Sequence, residues 1–162
     1  QHADVLPDVL PLAKGLAGGL AIGACAARGV AAQTFKPGNH GSTFGGNPLA
    51  CTGTVVTLDA IEQEGLLDNA ARCGQLIMQG LHDGLADVAG VKAIRGMGLM
   101  IGIELDHPCG ELVQQALQAG LLINVTADSV VRLLPPLVIE PAQCQLLIDI
   151  LVPLIRNFLN RD

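Results

Sequence analysis

Three kinds of side chain in this sequence stand where their chemistry could be used. The first is an amine. The chain has lysines at 14, 36 and 92, and of these Lys14 lies between apolar neighbours, Leu12-Ala13 on one side and Gly15-Leu16 on the other. Apolar surroundings disfavour the charged form of an amine, and an amine kept neutral attacks a carbonyl to form a Schiff base. The glycines beside it let another group approach the backbone closely. The competing reading is a lysine that snorkels to the surface from an apolar strand end, and local context alone favours that one. The second is a pair of hydroxyls, Ser42 and Thr43, in the loop Gly38–Asn47 (GNHGSTFGGN). Glycine-freed N–H groups, two hydroxyls and a helix start suit an oxyanion such as phosphate. They suit equally a glycine-rich turn capped by Asn47. The third is Arg132, in the apolar run VVRLLPPLV. Its planar fork matches a carboxylate with two parallel hydrogen bonds, that of a structural Asp or Glu, which local context favours, or that of a substrate.

Other candidates fall away. The cysteines at 25, 51, 73, 109 and 144 form no C-x-x-C pair, and the histidines at 2, 40, 82 and 107 do not cluster with them, so no metal site is expected. Reduced thiols acting as small apolar fillers in a cytoplasmic protein are expected instead. The run Gly96-Met97-Gly98-Leu99-Met100-Ile101-Gly102 misses the dinucleotide spacing by one residue and enters a strand where the fingerprint requires a helix. Glu62 and Glu64, at a helix end, read as solvated.

These groups need elements to hold them, and the apolar periodicity supplies those. Residues 5–24 are apolar and rich in Gly and Pro, which predicts short buried strands and turns around Lys14. Asn47 is an N-cap and Pro48 a first-turn proline. They open a helix Pro48–Glu64 with Leu49, Val55, Val56, Leu58 and Ile61 inward, stopped by Gly65. A second helix is expected over about Leu66–Val88, with Leu66, Leu67, Ala70, Leu76, Ile77, Leu81 and Leu85 at spacings of three and four. Gly74, Gly80 and Gly84 weaken it, so packing must hold it. Strands follow at Val91–Ile94 and Leu99–Leu105, a helix at Glu111–Ala119, strands at Leu121–Val125 and Val130–Leu134, and a closing helix at Pro141–Asn160. In that last helix Leu146, Leu147, Ile150, Leu151, Leu154, Ile155, Phe158 and Leu159 form one apolar face, with Pro153 opposite and expected to kink it. The expected class is α/β, in two parts, 1–73 and 74–162.

Composition agrees. The chain has 162 residues, 50% of them hydrophobic and 15% charged, enough for a sizeable core and too apolar for disorder. A net charge of -6 argues against nucleic acid or an anionic membrane surface as partner. Three Phe with no Tyr or Trp remove base-stacking platforms. No uninterrupted apolar run reaches bilayer length, so a soluble protein is expected.

Three stretches, PDVLPLAKGLAGGLAIGA (7–24), PGNHGSTFGGNPLAC (37–51) and INVTADSVVRLLPPLVI (123–139), resemble in order and separation the signatures of the class III, pyridoxal-phosphate-dependent aminotransferases. The resemblance covers essentially the whole chain. It implies a fold type I architecture, with the end of the large domain followed by the small domain. It implies that Lys14 is the lysine that bonds to pyridoxal 5'-phosphate, and that Thr43 reaches the cofactor phosphate of a neighbouring subunit. Ser42 is then a substrate contact, and Arg132 grips the α-carboxylate. Implied partners are N2-acetylornithine, 2-oxoglutarate and glutamate, and a second copy in a homodimer. Ornithine, succinylornithine and 4-aminobutyrate are alternative donors within the family. In that family further phosphate contacts, the ring that stacks on the cofactor and the carboxylate facing its pyridine nitrogen precede the lysine, whereas thirteen residues precede Lys14 here. The expectation is therefore the carboxyl-terminal part of a longer enzyme, inactive alone, or a non-catalytic folding or dimerisation module.

Overall fold

A computed structural model describes residues 4–160; His2 lies outside them. The chain divides into two compact units, Gln1–Glu64 and Gly65–Asp162. The expected boundary at 73 falls inside a helix. The division instead sits at Gly65, whose left-handed φ of 62° ends one helix and starts the next.

In the first unit, β1 (Val9–Leu12) and β2 (Ala24–Ala27) pair antiparallel, with Val9 opposite Ala27 and Leu12 opposite Ala24. Arg28 closes the open end, donating to the Asp8 carboxylate at 3.1 Å and to the Leu6 carbonyl at 2.8 Å. Between the strands a 3-10 turn, Lys14–Ala17, lies against α1 (Pro48–Gln63). Small residues allow this approach: a Cβ on Gly53 would fall 2.6 Å from Leu20 Cδ1, and Ala17 and Ala50 are buried there. The cap is as expected, with Asn47 Oδ1 accepting from the Ala50 N–H at 3.0 Å and Pro48 at the first position.

Burial in this unit departs from expectation. Both strands are exposed along their whole length, because a two-stranded ribbon offers two open faces and no third layer covers either among the described residues. Leu49, Val55, Val56 and Leu58 of α1, expected inward, are exposed, and Ala50 alone in the helix is fully buried.

The second unit is a two-layer α/β sandwich. It runs α2 (Leu66–Leu85), β3 (Val91–Met97), β4 (Met100–Leu105), α3 (Glu111–Gln118), β5 (Asn124–Thr126), β6 (Val130–Leu133) and α4 (Pro141–Leu159). The sheet order is β3-β4-β6-β5, antiparallel throughout. Alternation along β4 and β6 sends Ile101, Ile103, Leu105, Val131 and Leu133 to one face, where they form a core with Ile77, Leu81, Leu112, Leu151 and Ile155 of the helices. The glycines that weaken α2 prove to be close-packing sites. A Cβ on Gly74 would stand 2.2 Å from the Gly98 carbonyl oxygen, and one on Gly80 would stand 2.5 Å from Ile148 Cδ1.

β3 runs on to Met97 and β5 is shorter than expected, because Gly98 (φ 53°) completes a two-residue hairpin turn while residues 121–123 lie outside the ladder. The glycine run at 96–102 is thus a hairpin. Leu67 and Leu146, expected inward, are exposed. α4 runs through Pro153 as one helix, with that proline exposed. By length and composition α4 could cross a membrane, contrary to the expectation, but Cys144, Leu147, Ile148, Leu151, Ile155 and Phe158 bury its inner side in this core.

The five cysteines are free thiols, and Cys73, Cys109 and Cys144 are core fillers. Burial, and after it the hydrogen bond with Cys73, pushes the Cys144 thiol up to about 11, and burial also raises Cys109. Among the described residues no cluster of His, Cys, Asp or Glu could hold a metal ion.

Candidate active site

Lys14 stands at the point where β1 turns. Ala13 is fully extended and Lys14 then takes a left-handed φ of 58°, a conformation that costs a side-chain-bearing residue about 1–2 kcal/mol. Gly18 (φ 61°) and Gly19 (φ 117°) end the 3-10 turn that follows. The reversal throws Lys14 out of the ribbon, and the side chain is exposed, as the surface-lysine reading that local context favours would have it. Among the described residues its ammonium has no hydrogen-bond or carboxylate partner. Asp8, the nearest acid in sequence, is held by Arg28. Sparsely populated backbone conformations of this kind cluster at functional sites.

Ser42 and Thr43 sit in the loop before α1, both exposed. That loop holds its shape through its own contacts. Asn39 Oδ1 accepts from the Lys36 N–H at 2.8 Å, Phe35 stacks on His40 with centroids 5.9 Å apart, and Asn47 Nδ2 donates to the Phe44 carbonyl at 3.0 Å. Of the first-turn groups, Pro48 has no N–H and Ala50's is taken by Asn47. Asn47 thus occupies part of the helix terminus from within, and the two hydroxyls are further donors that an oxyanion could use.

Arg132 belongs to the second unit. It projects from β6 on the exposed face of the sheet, and its Nε–H donates to Asn124 Oδ1 on β5 at 3.0 Å. Its partner is thus a neutral amide and not the Asp or Glu that local reasoning preferred. Among the described residues no carboxylate pairs with it. Two strands away, Arg95 is paired with Glu104 at 2.6 Å. Asn124 escaped the sequence reading; its signal was a polar residue eight positions before Arg132, which a three-residue turn brings opposite.

The chemistry of these donors fits the two ends of pyridoxal phosphate: a free amine for its aldehyde and a free hydroxyl for its phosphate. Within each unit the named groups are available; Lys14, Ser42 and Thr43 share the first and Arg132 stands in the second.

The family model of class-III aminotransferases matches residues 1–155, and the chain belongs to that family. It is 57% identical over 159 residues to acetylornithine aminotransferase 1 of Bordetella bronchiseptica, covering 98% of this chain and 40% of that protein. The crystal structure of acetylornithine aminotransferase from Elizabethkingia anophelis superposes with a TM-score of 0.87 at 36% identity, over 97% of this chain and 41% of that one. Ornithine aminotransferase from Toxoplasma gondii, described with partial occupancy of PLP at its active site, superposes with a TM-score of 0.90 at 35% identity, over 96% of this chain and 38% of that one. The fold is that of the PLP aminotransferases, and the chain spans about two-fifths of the length of the curated relatives it matches.

Proposed function

We propose that this chain supplies the Schiff-base lysine and the carboxylate clamp of an aminotransferase that moves the terminal amino group of N2-acetylornithine to 2-oxoglutarate. The observation that carries this reading is the 57% identity, over 98% of the chain, to a protein named acetylornithine aminotransferase. Pyridoxal phosphate, when bound, supplies an electron sink for the bond broken at the amino carbon. The protein's part is placement and proton transfer. Lys14 would hold the aldehyde end of the cofactor through its Nζ, and the same amine would move a proton at the amino carbon of the substrate, as base and then as acid. Thr43 donates to the phosphate across a homodimer interface, Ser42 touches the acetylornithine, and Arg132 holds the α-carboxylate through two parallel hydrogen bonds. The exposure of Lys14, Ser42 and Thr43, and their lack of other partners among the described residues, support these roles.

A second donor, ornithine, is favoured by the ornithine aminotransferases among the similar structures. The readings separate on an enzyme of the family's full length carrying this sequence. N2-acetylornithine is expected to react with kcat/KM at least tenfold above ornithine, a difference of ~1.4 kcal/mol in transition-state binding. Equal or reversed values would assign the second donor. Mixed alone with pyridoxal phosphate, the 162-residue chain reports whether it is a binding unit or only a folding module. A visible band lost in Lys14→Ala marks the first, and no band marks the second.

A further inference from the structure

The sheet register aligns four residues from four strands. Arg95 on β3 is opposite Gly102 on β4, Gly102 is opposite Arg132 on β6, and Arg132 is opposite Asn124 on β5. Directly opposed residues share a face, and here it is the face away from the core. Gly102 has no side chain, so the row has a gap in its middle, and a shallow cavity of about 310 Å³ opens there, lined by Arg95, Gly102, Thr126, Val130, Arg132 and neighbouring methionines. The two arginines differ in state. Arg95 is committed to Glu104 at 2.6 Å, whereas Arg132 gives only its Nε–H, to Asn124 at 3.0 Å.

We propose that Asn124 is a positioning residue: by accepting the Nε–H of Arg132 it orients the guanidinium so that its terminal NH2 groups meet a substrate carboxylate. A guanidinium has donors on three nitrogens in a fixed plane. Anchoring Nε therefore fixes that plane and leaves the terminal donors for a second, parallel pair of bonds. The anchor is a neutral amide, which satisfies one N–H without cancelling the positive charge, as an Asp or Glu at 124 would. Pre-orientation lowers the ordering cost of binding. This inference rests on the reading of Arg132 as the carboxylate clamp.

The test uses the full-length enzyme with glutarate, a dicarboxylate that undergoes no transamination, as binding probe, alongside KM and kcat for 2-oxoglutarate. Asn124→Leu keeps the branched outline of the side chain and removes the acceptor; it should raise the glutarate Kd and the KM roughly three- to tenfold, within the net worth of one ordinary hydrogen bond, with kcat within twofold. Asn124→Gln, which keeps an amide oxygen, should restore most of the affinity. Arg132→Ala separates the layers of the argument. If it weakens glutarate while Asn124→Leu leaves Kd and KM unchanged, or lowers only the thermal midpoint, the positioning role is overturned and the clamp stands. If Arg132→Ala itself leaves binding unchanged, the clamp fails and this inference fails with it.

Discussion

Lys14 sits in a backbone conformation that its residue type resists. Its left-handed backbone holds an amine-bearing residue where glycine would be at ease. Lys14→Gly should therefore raise stability by ~1 kcal/mol in chemical denaturation while removing the amine, so that stability and function move in opposite directions. A Lys14→Gly variant less stable than the parent would show that the turn is not strained. The buried thiols carry a second prediction. Cys144 titrates near 9.0 when unfolded and about 11 when folded, raised first by burial and then by Cys73. The folded state thus holds its proton more tightly, so this contribution is complete below pH 9 and is lost as pH rises from 9 toward 11. Unfolding free energy measured across that window should fall, and Cys144→Ala should flatten the slope. An unchanged slope would remove Cys144 as its source.

Elements show where sequence reasoning succeeds and where it stops. The spacing of Ile77, Leu81 and Leu85 identifies α2 and its buried side, and the N-cap at Asn47 places the start of α1. In α1 the same periodicity says that certain residues share a face but not whether any surface covers it, and Leu49, Val55, Val56 and Leu58 are exposed. The apolar neighbours of Lys14 show the same limit: Leu12 and Ala13 are exposed themselves, so apolar residues beside it in sequence give it no buried surroundings within this unit. The Arg132–Asn124 contact depended on register, which hydrophobic pattern fixes only once the turn length is known. Gly74 separates packing from propensity. Alanine favours a helix interior by ~1 kcal/mol over glycine, yet its Cβ would fall 2.2 Å from the backbone oxygen of Gly98. Overpacking against backbone costs ~1–3 kcal/mol, so Gly74→Ala should lower the denaturation midpoint. A higher midpoint would show that the β3–β4 turn yields freely.

At the scale of the molecule the two units differ in how much they bury. The second holds a continuous core of mostly aliphatic and cysteine side chains, whereas the first, among the described residues, buries only Ala17 and Ala50 and exposes Val30, Phe35 and Phe44. The proposed chemistry is divided the same way, with Lys14, Ser42 and Thr43 in the sparsely buried unit and Arg132 on the rigid sheet of the other. In the proposed reaction an amine on a turn and a guanidinium on a sheet would suit their tasks, since the first would have to leave and return to a bond while the second would have only to hold. The clearest test of this division is chemical trapping. Borohydride reduction of the full-length enzyme with pyridoxal phosphate, followed by peptide mapping, should place the stable phosphopyridoxyl label on Lys14. A label on Lys36 or Lys92, or on no residue of this chain, would contradict the account.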